Sequence, residues 1–321
     1  MNRIDTELDQ FSQWPTAQRF AAFQQLVPRG VLQKALAQST RPTHFCRRLP
    51  GWFLLAFVVG LGLCCRDSYR HVSKWLQPFC PRGTPGRSTL CMARQRLGIA
   101  SVRWLAEHVA RLLATPTTPG TFHRGYRLMG LDGFILDVPD TPANDRAFGR
   151  PKSGKGQGAF PQVRVLSLCE LGTHLLGRNL IKPICRGEVS RAPALLRHLQ
   201  SDMVLVGDRN FFGDASIRQV VVDREAQLLA RVKTNLIFRK NRQWDDGSYL
   251  SKVYRTHRGR EKDRNGIDVR ILEYVLTDPN RPGYQQKHRL LTTLLDAKLD
   301  PAVAVVECTT SVGRKKSRST N

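Results

Sequence analysis

Two aspartates stand where this chain could do chemistry. Asp132 lies inside the apolar run "LDGFILDV", and Asp208 follows the apolar run "MVLV" in "VLVGDRNFF". The C-terminal ends of strands in an open α/β sheet are where active sites of such sheets gather. An isolated buried carboxylate is very costly, so each aspartate must be solvated, paired or metal-bound. Held together, they could bind hard divalent cations, which favour carboxylate oxygens and retained waters. Two such cations about 3.5–4 Å apart activate a water or a 3′-hydroxyl and stabilise the leaving oxygen in an in-line phosphoryl displacement. The competing reading is a salt bridge, for example between Asp208 and Arg209, and spacing alone leaves both open. Asp137 and Asp140, in the same segment as Asp132, are rival carboxylates.

The surrounding pattern predicts the elements that would position them. From residue 125 to 307 strands alternate with helices, giving an α/β (mixed) domain. "YRLMGLDGFILDV" predicts one or two strands broken by a glycine turn. "VRVLSLCEL", "THLLGRNLIKPI", "DMVLVGDRNF" and "AQLLARVK" predict further strands, with "SRAPALLRHL" and "GDASIRQVVVDR" as helices. Residues 235–285 predict a β-rich insertion. Residues 1–115 are helical in pattern, with Phe11, Trp14, Phe20, Phe23 and Leu26 at roughly helical spacings, and residues 116–124 form a linker. The apolar stretch "GWFLLAFVVGLGLCC" is too short for the roughly 20 residues that span a bilayer and predicts a buried helix.

Composition narrows the partner. The chain carries 51 Lys plus Arg against 26 Asp plus Glu, a net charge of +25 spread along its 321 residues. Each phosphate neutralised by such a cation adds affinity through counterion release, so DNA or RNA is the expected partner. The eight cysteines include no CxxC pair, and with no signal peptide they predict reduced thiols in a cytoplasmic, nucleoid-associated protein without a membrane segment. "GRPKSGKG" mimics a phosphate-binding loop. However, Gly156 follows Lys155 where Ser or Thr should reach magnesium, and no strand leads in. A cationic loop touching a phosphate backbone fits better, which makes Lys152 and Lys155, with Arg164, Arg209 and Lys233, candidate DNA contacts.

Taken in order, "LMGLDGFILDVPDTPAN", "GAFPQVRVLSLCELGTHLL", "MVLVGDRNFFG", "LLARVKTN", "DGSYLS" and "HRLLTTLLD" resemble the DDE transposases of bacterial insertion sequences, in the insertion-sequence-four family. The likeness runs from near the N-terminus to about Glu307. It implies a ribonuclease-H-like catalytic domain after a helical domain that binds the ends of the element. Asp132, in the family's Asp-Gly motif, and Asp208 would be the catalytic metal ligands, with Mg²⁺ or Mn²⁺ as cofactor. The DNA partners would be terminal inverted repeats and target DNA, handled by a homodimer.

The resemblance also implies a third carboxylate in a Tyr-x2-Arg-x3-Glu-x6-Lys helix, and no residue of this chain fills that role. Residues 308–321, "CTTSVGRKKSRSTN", predict a polar, basic tail without hydrophobic period. Read one base over, codons that permit this tail also permit Tyr-x2-Arg-x3-Glu where that helix is due. The expectation is therefore a frame lost near codon 308 and impaired catalysis. The alternatives are a basic DNA-binding extension containing "GRKKSR", a non-catalytic remnant that binds element ends or inhibits an intact transposase, and a metal-dependent nuclease unrelated to mobility.

Overall fold

The computed structural model describes residues 13–38, 49–64, 67–79, 83, 85–153, 156–185, 191–208, 211, 213–233, 236–276, 279 and 284–313. Phe11, Lys155 and Arg209 lie outside them. The chain divides into two compact units, residues 1–111 and 112–321.

The first unit is helical: α1 (Thr16–Leu26), α2 (Arg29–Ala37), α3 (Gly51–Leu63), α4 (Tyr69–Trp75), α5 (Arg87–Leu97) and α6 (Ile99–Val109). Prolines set three of the starts. Pro15, Pro28 and Pro50 stand in extended conformation just ahead of α1, α2 and α3. Their carbonyls accept the first helical bonds, from Arg19, Leu32 and Leu54. Helix α3 is apolar all round, a pattern that demands burial on every side. Phe53, Leu54, Leu55, Ala56 and Phe57 are accordingly no more than 1% exposed. Gly60 lets α4 close on α3, since a β-carbon there would lie 3.1 Å from both Trp75 and Val72. Among the described residues no helix is long and apolar enough to cross a membrane.

Of the apolar residues at helical spacing around α1, Phe23 is buried and others are not. Trp14 and Leu26 are 44% and 57% exposed, while Arg19, Phe23 and Val27 face inward. Pro15 starts the helix afresh, so Trp14 falls outside its period. The buried positions are then four residues apart, one helical ridge.

The second unit is built on a ten-stranded sheet. Its strands are β1 (Phe122–His123), β2 (Tyr126–Asp137), β5 (Gln162–Glu170), β6 (Leu175–Pro183), β7 (Met203–Gly207), β8 (Gln227–Arg231), β9 (Arg242–Gln243), β10 (Tyr249–Val253), β11 (Ile267–Val275) and β12 (Lys287–Thr292). A separate hairpin pairs β3 (Lys152–Ser153) with β4 (Gly156–Gln157). The order is β6-β5-β2-β7-β8-β12-β11-β10-β9, with β1 on β2. Strands β2, β7 and β8 run parallel, and the other pairings are antiparallel. Helices α7 (Pro142–Phe148), α8 (Pro193–Leu196), α9 (Asp214–Arg218, continued by a π-helical turn at Gln219–Asp223), α10 (His257–Glu261) and α11 (Ala302–Gly313) pack with these strands in the unit.

Two expectations change here. Strand β2 is one uninterrupted element of 12 residues, with no turn at its glycines. The β-rich stretch from 235 to 285 supplies β9, β10 and β11, which join the main sheet through β12. Residues 308–313 are also helical, because α11 runs through them. Thr309 is 5% exposed, and Cys308 packs beside the cluster of Val305, Leu128 and Val206.

Alternation along the strands gives the sheet two buried faces. Met129, Leu131, Leu205, Leu228 and Ala230 join one core with Leu195, Leu196 and Ile217 of α8 and α9. Leu128, Val204, Val206, Leu229, Leu272 and Leu290 join the other with Val305 of α11. Polar anchors hold the margins. Glu170, fully buried, accepts bonds from the backbone N–H of Leu113 and Ala114, the Thr173 hydroxyl and the Arg127 guanidinium. Arg270, also fully buried, donates to Ser248 Oγ at 2.7 Å, to the Asp300 carbonyl at 2.6 Å and to Asp246. Asp246 accepts the N–H of Ala302 at the start of α11 at 3.1 Å. Burial opposes its ionisation, but hydrogen bonds from Ser248 and the charge of Arg270 hold its carboxyl below the usual range.

Removing one partner of a buried, hydrogen-bonded ion pair strands the other and typically costs about 3–5 kcal/mol. Glu170→Ala is expected to lower second-unit stability by about that much, read from the urea midpoint. Burial, then the charges of Asp300 and Glu307, pushes the Cys308 thiol up to about 11. Its thiolate fraction at pH 8 is therefore on the order of 10⁻³. Iodoacetamide at pH 8 should modify Cys308 at least ~10-fold more slowly than the exposed Cys185, and the Cys308 rate should climb as pH rises toward 11, both followed by mass spectrometry.

Candidate active site

The parallel ladder between β2 and β7 pairs Leu131 with Gly207. Asp132 and Asp208 are therefore the residues that follow the last pair of this ladder, Asp132 within β2 and Asp208 one position past β7, where neighbouring strands lie about 4.8 Å apart. Side chains alternate, so both follow the face of Leu128, Val204 and Val206, the face that α11 covers. Asp132 is exposed and its Oδ1 accepts the Gly133 N–H at 2.9 Å. Asp208 is half-buried, and its carbonyl accepts the Phe211 N–H at 3.1 Å. Between Leu128 and Asp132, Gly130 leaves no room for a side chain: a β-carbon would sit 2.7 Å from Leu171 and 3.0 Å from Cys169 Sγ.

The register extends this pair into a polar row. Asp132 pairs with Ser167 on β5, and Ser167 with Asn179 on β6. The Ser167 hydroxyl, 2% exposed, donates to Asn179 Oδ1 at 2.5 Å. On the other side Gly207 pairs with Ala230, which puts Arg231 next to Asp208. Arg231 is half-buried, and its guanidinium has no hydrogen-bond or ion-pair partner among the described residues. Asn179, Ser167, Asp132, Asp208 and Arg231 thus cross five strands in one line on one face.

Arg231 escaped sequence reasoning. Its signal was available: in "LLARVK" it ends a buried strand, just as Asp208 follows "MVLV". An unpaired guanidinium beside two carboxylates is suited to an anion that the carboxylates alone would repel, and phosphate accepts its planar fork.

The other sequence candidates are scattered. Asp137 ends β2 on the opposite face, about 17 Å along the strand from Asp132, and accepts a bond from Gln162 Nε2 at 2.8 Å. Asp140 lies past the strand and pairs with Arg150, which also holds Asp145 at 3.2 Å. Arg164 is in register with Ile135 and falls on the face opposite Asp132. Lys152 is exposed on the β3–β4 hairpin, so strands rather than a helix flank the false phosphate loop. Lys233 is exposed two residues beyond Arg231, at the same end of the sheet as Asp208.

The donor chemistry of the aspartate pair fits a hard divalent cation, which takes carboxylate oxygens and completes its shell with water. Among the described residues no group of three His, Cys, Asp or Glu side chains could hold a metal. The protein thus presents a two-carboxylate site on a mixed sheet, preceded in the chain by a basic helical unit.

Residues 17–107 match the family described as the insertion element 4 transposase N-terminal. The chain is 25% identical over 274 residues to transposase InsG for insertion sequence element IS4 from Escherichia coli (strain K12), covering 84% of this chain and 61% of that protein. It is 28% identical over 201 residues to InsZ of the same organism, covering 62% of this chain and 66% of InsZ. These matches make the chain similar to transposases of the IS4 element, through the family match over residues 17–107 and at 25–28% identity to the two relatives. The chain spans less than two thirds of the length of either relative.

If Arg231 positions a phosphate, Arg231→Ala should lower DNA cleavage by roughly 10²-fold, the usual loss of one preorganised electrostatic contact. Arg231→Lys should recover only part of it. Single-turnover cleavage measured alongside duplex binding separates this from a folding defect, because binding should change by less than about threefold.

Proposed function

We propose that this chain is a transposase that binds the ends of an insertion sequence and performs metal-dependent DNA cleavage and strand transfer at Asp132 and Asp208. The observation that carries the reading is the β2–β7 register, which pairs Leu131 with Gly207 and so brings Asp132, in the middle of β2, next to Asp208, one residue past the end of β7. The strand order β6-β5-β2-β7-β8, three antiparallel strands followed by two parallel ones, is consistent with a ribonuclease-H-like domain. The basic helical unit is the candidate for recognising DNA ends, and Lys152 and Lys233 are candidate backbone contacts. A homodimer fits the need to bring two ends together.

Asp132 and Asp208 would hold Mg²⁺ or Mn²⁺, which supplies activation of the attacking hydroxyl and charge stabilisation at the leaving oxygen. The protein's own part is positional. The ladder fixes both carboxylates before substrate arrives, so little reorganisation accompanies the reaction. Arg231 offsets their charge next to the phosphate, and Ser167 with Asn179 extends the polar floor.

A second reading, occupation of element ends without cutting, is favoured by the absence of a third carboxylate or imidazole near the pair among the described residues. One experiment separates the two: nicking and strand transfer on a plasmid carrying element ends, with Mg²⁺ or Mn²⁺, accompanied by calorimetric titration of Mn²⁺. Asp132→Asn and Asp208→Asn are each expected to reduce cleavage at least ~10³-fold, since such groups act as a unit, and to weaken Mn²⁺ binding while end binding persists. End binding with no cleavage by the unaltered chain supports the second reading. Asn variants that cleave normally sink the first.

A further inference from the structure

The β10–β11 hairpin ends in the segment "YRTHRGREKDRNG", residues 254–266. Arg255, Arg258, Arg260, Lys262 and Arg264 are all exposed, and none of their charged groups has an ion-pair partner among the described residues. The acidic side chains of the segment are already engaged. Glu261 lies 3.3 Å from His257, and Asp263 accepts from Lys252 at 2.9 Å and from the Tyr254 hydroxyl at 2.6 Å. The backbone is shaped rather than loose. The Thr256 hydroxyl caps α10 by accepting the Gly259 N–H at 3.0 Å, and Arg218 of α9 donates to the Asn265 carbonyl. Gly266 lies against Tyr254, whose ring would be 2.8 Å from a β-carbon there. Five like charges held together on a fixed turn repel one another, a cost that a polyanion offsets.

The register places this tip far from the aspartates. Arg231 pairs with Leu290, and Leu290 with Leu272, so Leu272 lies level with Asp208, whereas β11 begins five residues earlier at Ile267. Strand rise and spacing separate Ile267 from Asp132 by about 17 Å along the strands and about 19 Å across them. The tie to α9 is also on the opposite side of the sheet: Ile217 and Ile267 belong to the core of Leu131 and Leu205, not to the face of Asp132 and Asp208. The tip therefore lies about 25 Å from the aspartate pair, beyond the opposite end of the strands, and is not part of the candidate active site.

We infer that residues 254–266 form a second docking site for double-stranded DNA, independent of sequence and separate from the aspartate pair. It rests on the transposase reading for its biological use, though not for the binding itself. Contacts of this kind are to phosphates, so they position a duplex without reading bases.

The test replaces Arg255, Arg258, Arg260 and Lys262 together with Gln, and in a second variant replaces the three arginines with Lys. Fluorescence anisotropy then follows binding of a random-sequence 30-base-pair duplex between 50 and 300 mM salt. With Gln, the slope of log K against log salt should flatten by about 2 to 4, given roughly 0.9 per phosphate contact. The Lys variant should keep the parent slope, which distinguishes lost charge from lost folding. An unchanged slope in the Gln variant overturns the inference, as does a flattened slope in the Lys variant. Polyglutamate competing as strongly as the duplex overturns it too, because the site would then select any polyanion. Asp132→Asn provides the cross-check: loss of cleavage with an intact slope keeps both readings. Unimpaired cleavage by that variant removes the transposase mechanism and leaves the docking site standing.

Discussion

The site depends on one constraint, the register of β2 against β7. Side chains alternate along a strand, so a slip of one residue would send Asp132 to the face of Leu131 and break the row. The structure prevents that slip by burying both faces. Leu128 and Met129, like Val204 and Leu205, are adjacent residues committed to opposite cores. Displacement by one position would expose apolar groups on both sides at once. Dispersed apolar packing thereby fixes two carboxylates to a tolerance that neither could achieve through its own contacts.

The same economy governs the ends of the elements. Glu170 and Arg270 are charges taken wholly out of water, and a buried ion pair by itself rarely adds net stability. Their value is geometric. Glu170 satisfies backbone N–H groups of residues 113 and 114 and fastens the approach to β2. Arg270 joins Ser248, Asp246 and Asp300, three residues distant in sequence, and Asp246 then caps the first free N–H of α11. Asp300 also receives Arg124 at 3.0 Å and lies 2.7 Å from His123 Nε2, which ties the same corner to β1. With every polar partner named by geometry, an alternative packing of α11 would strand several charges together.

Much of this was legible in the amino-acid order, for identifiable reasons. Strand and helix positions around Asp132 and Asp208 follow from short apolar runs closed by Gly, Asp or Pro, and α3 from an apolar stretch with no polar face. Local pattern could not reveal pairing. Arg231 and Asp208 are separated by 23 positions in sequence and become neighbours only through the β7–β8 ladder. Arg164 looked like a phosphate contact because its charge was visible, while the face it occupies is decided by its pairing with Ile135. The strands of the 235–285 stretch were legible from their alternation, but their pairing with the main sheet through β12 was not. At residues 308 and 309 a drop in hydrophobicity suggested a tail, but a helix already begun at Ala302 carries through because Val305 and Thr309 are one turn apart on its buried side.

The outermost strands carry a further consequence. On one side the sheet ends in β6, which carries Gly177 and Arg178 near its start and Lys182 and Pro183 at its far end, and faces a register shift at Leu168 and Cys169 of β5. On the other it ends in β9, only two residues long. A proline that cannot donate, charges along the rim, a local kink and a stub of strand are the devices by which proteins keep an open sheet from growing. Ile181, 60% exposed on β6, would otherwise invite a foreign strand. The borders are therefore guarded against amyloid-like stacking, and copies of this chain crowded together can stay apart as separate sheets.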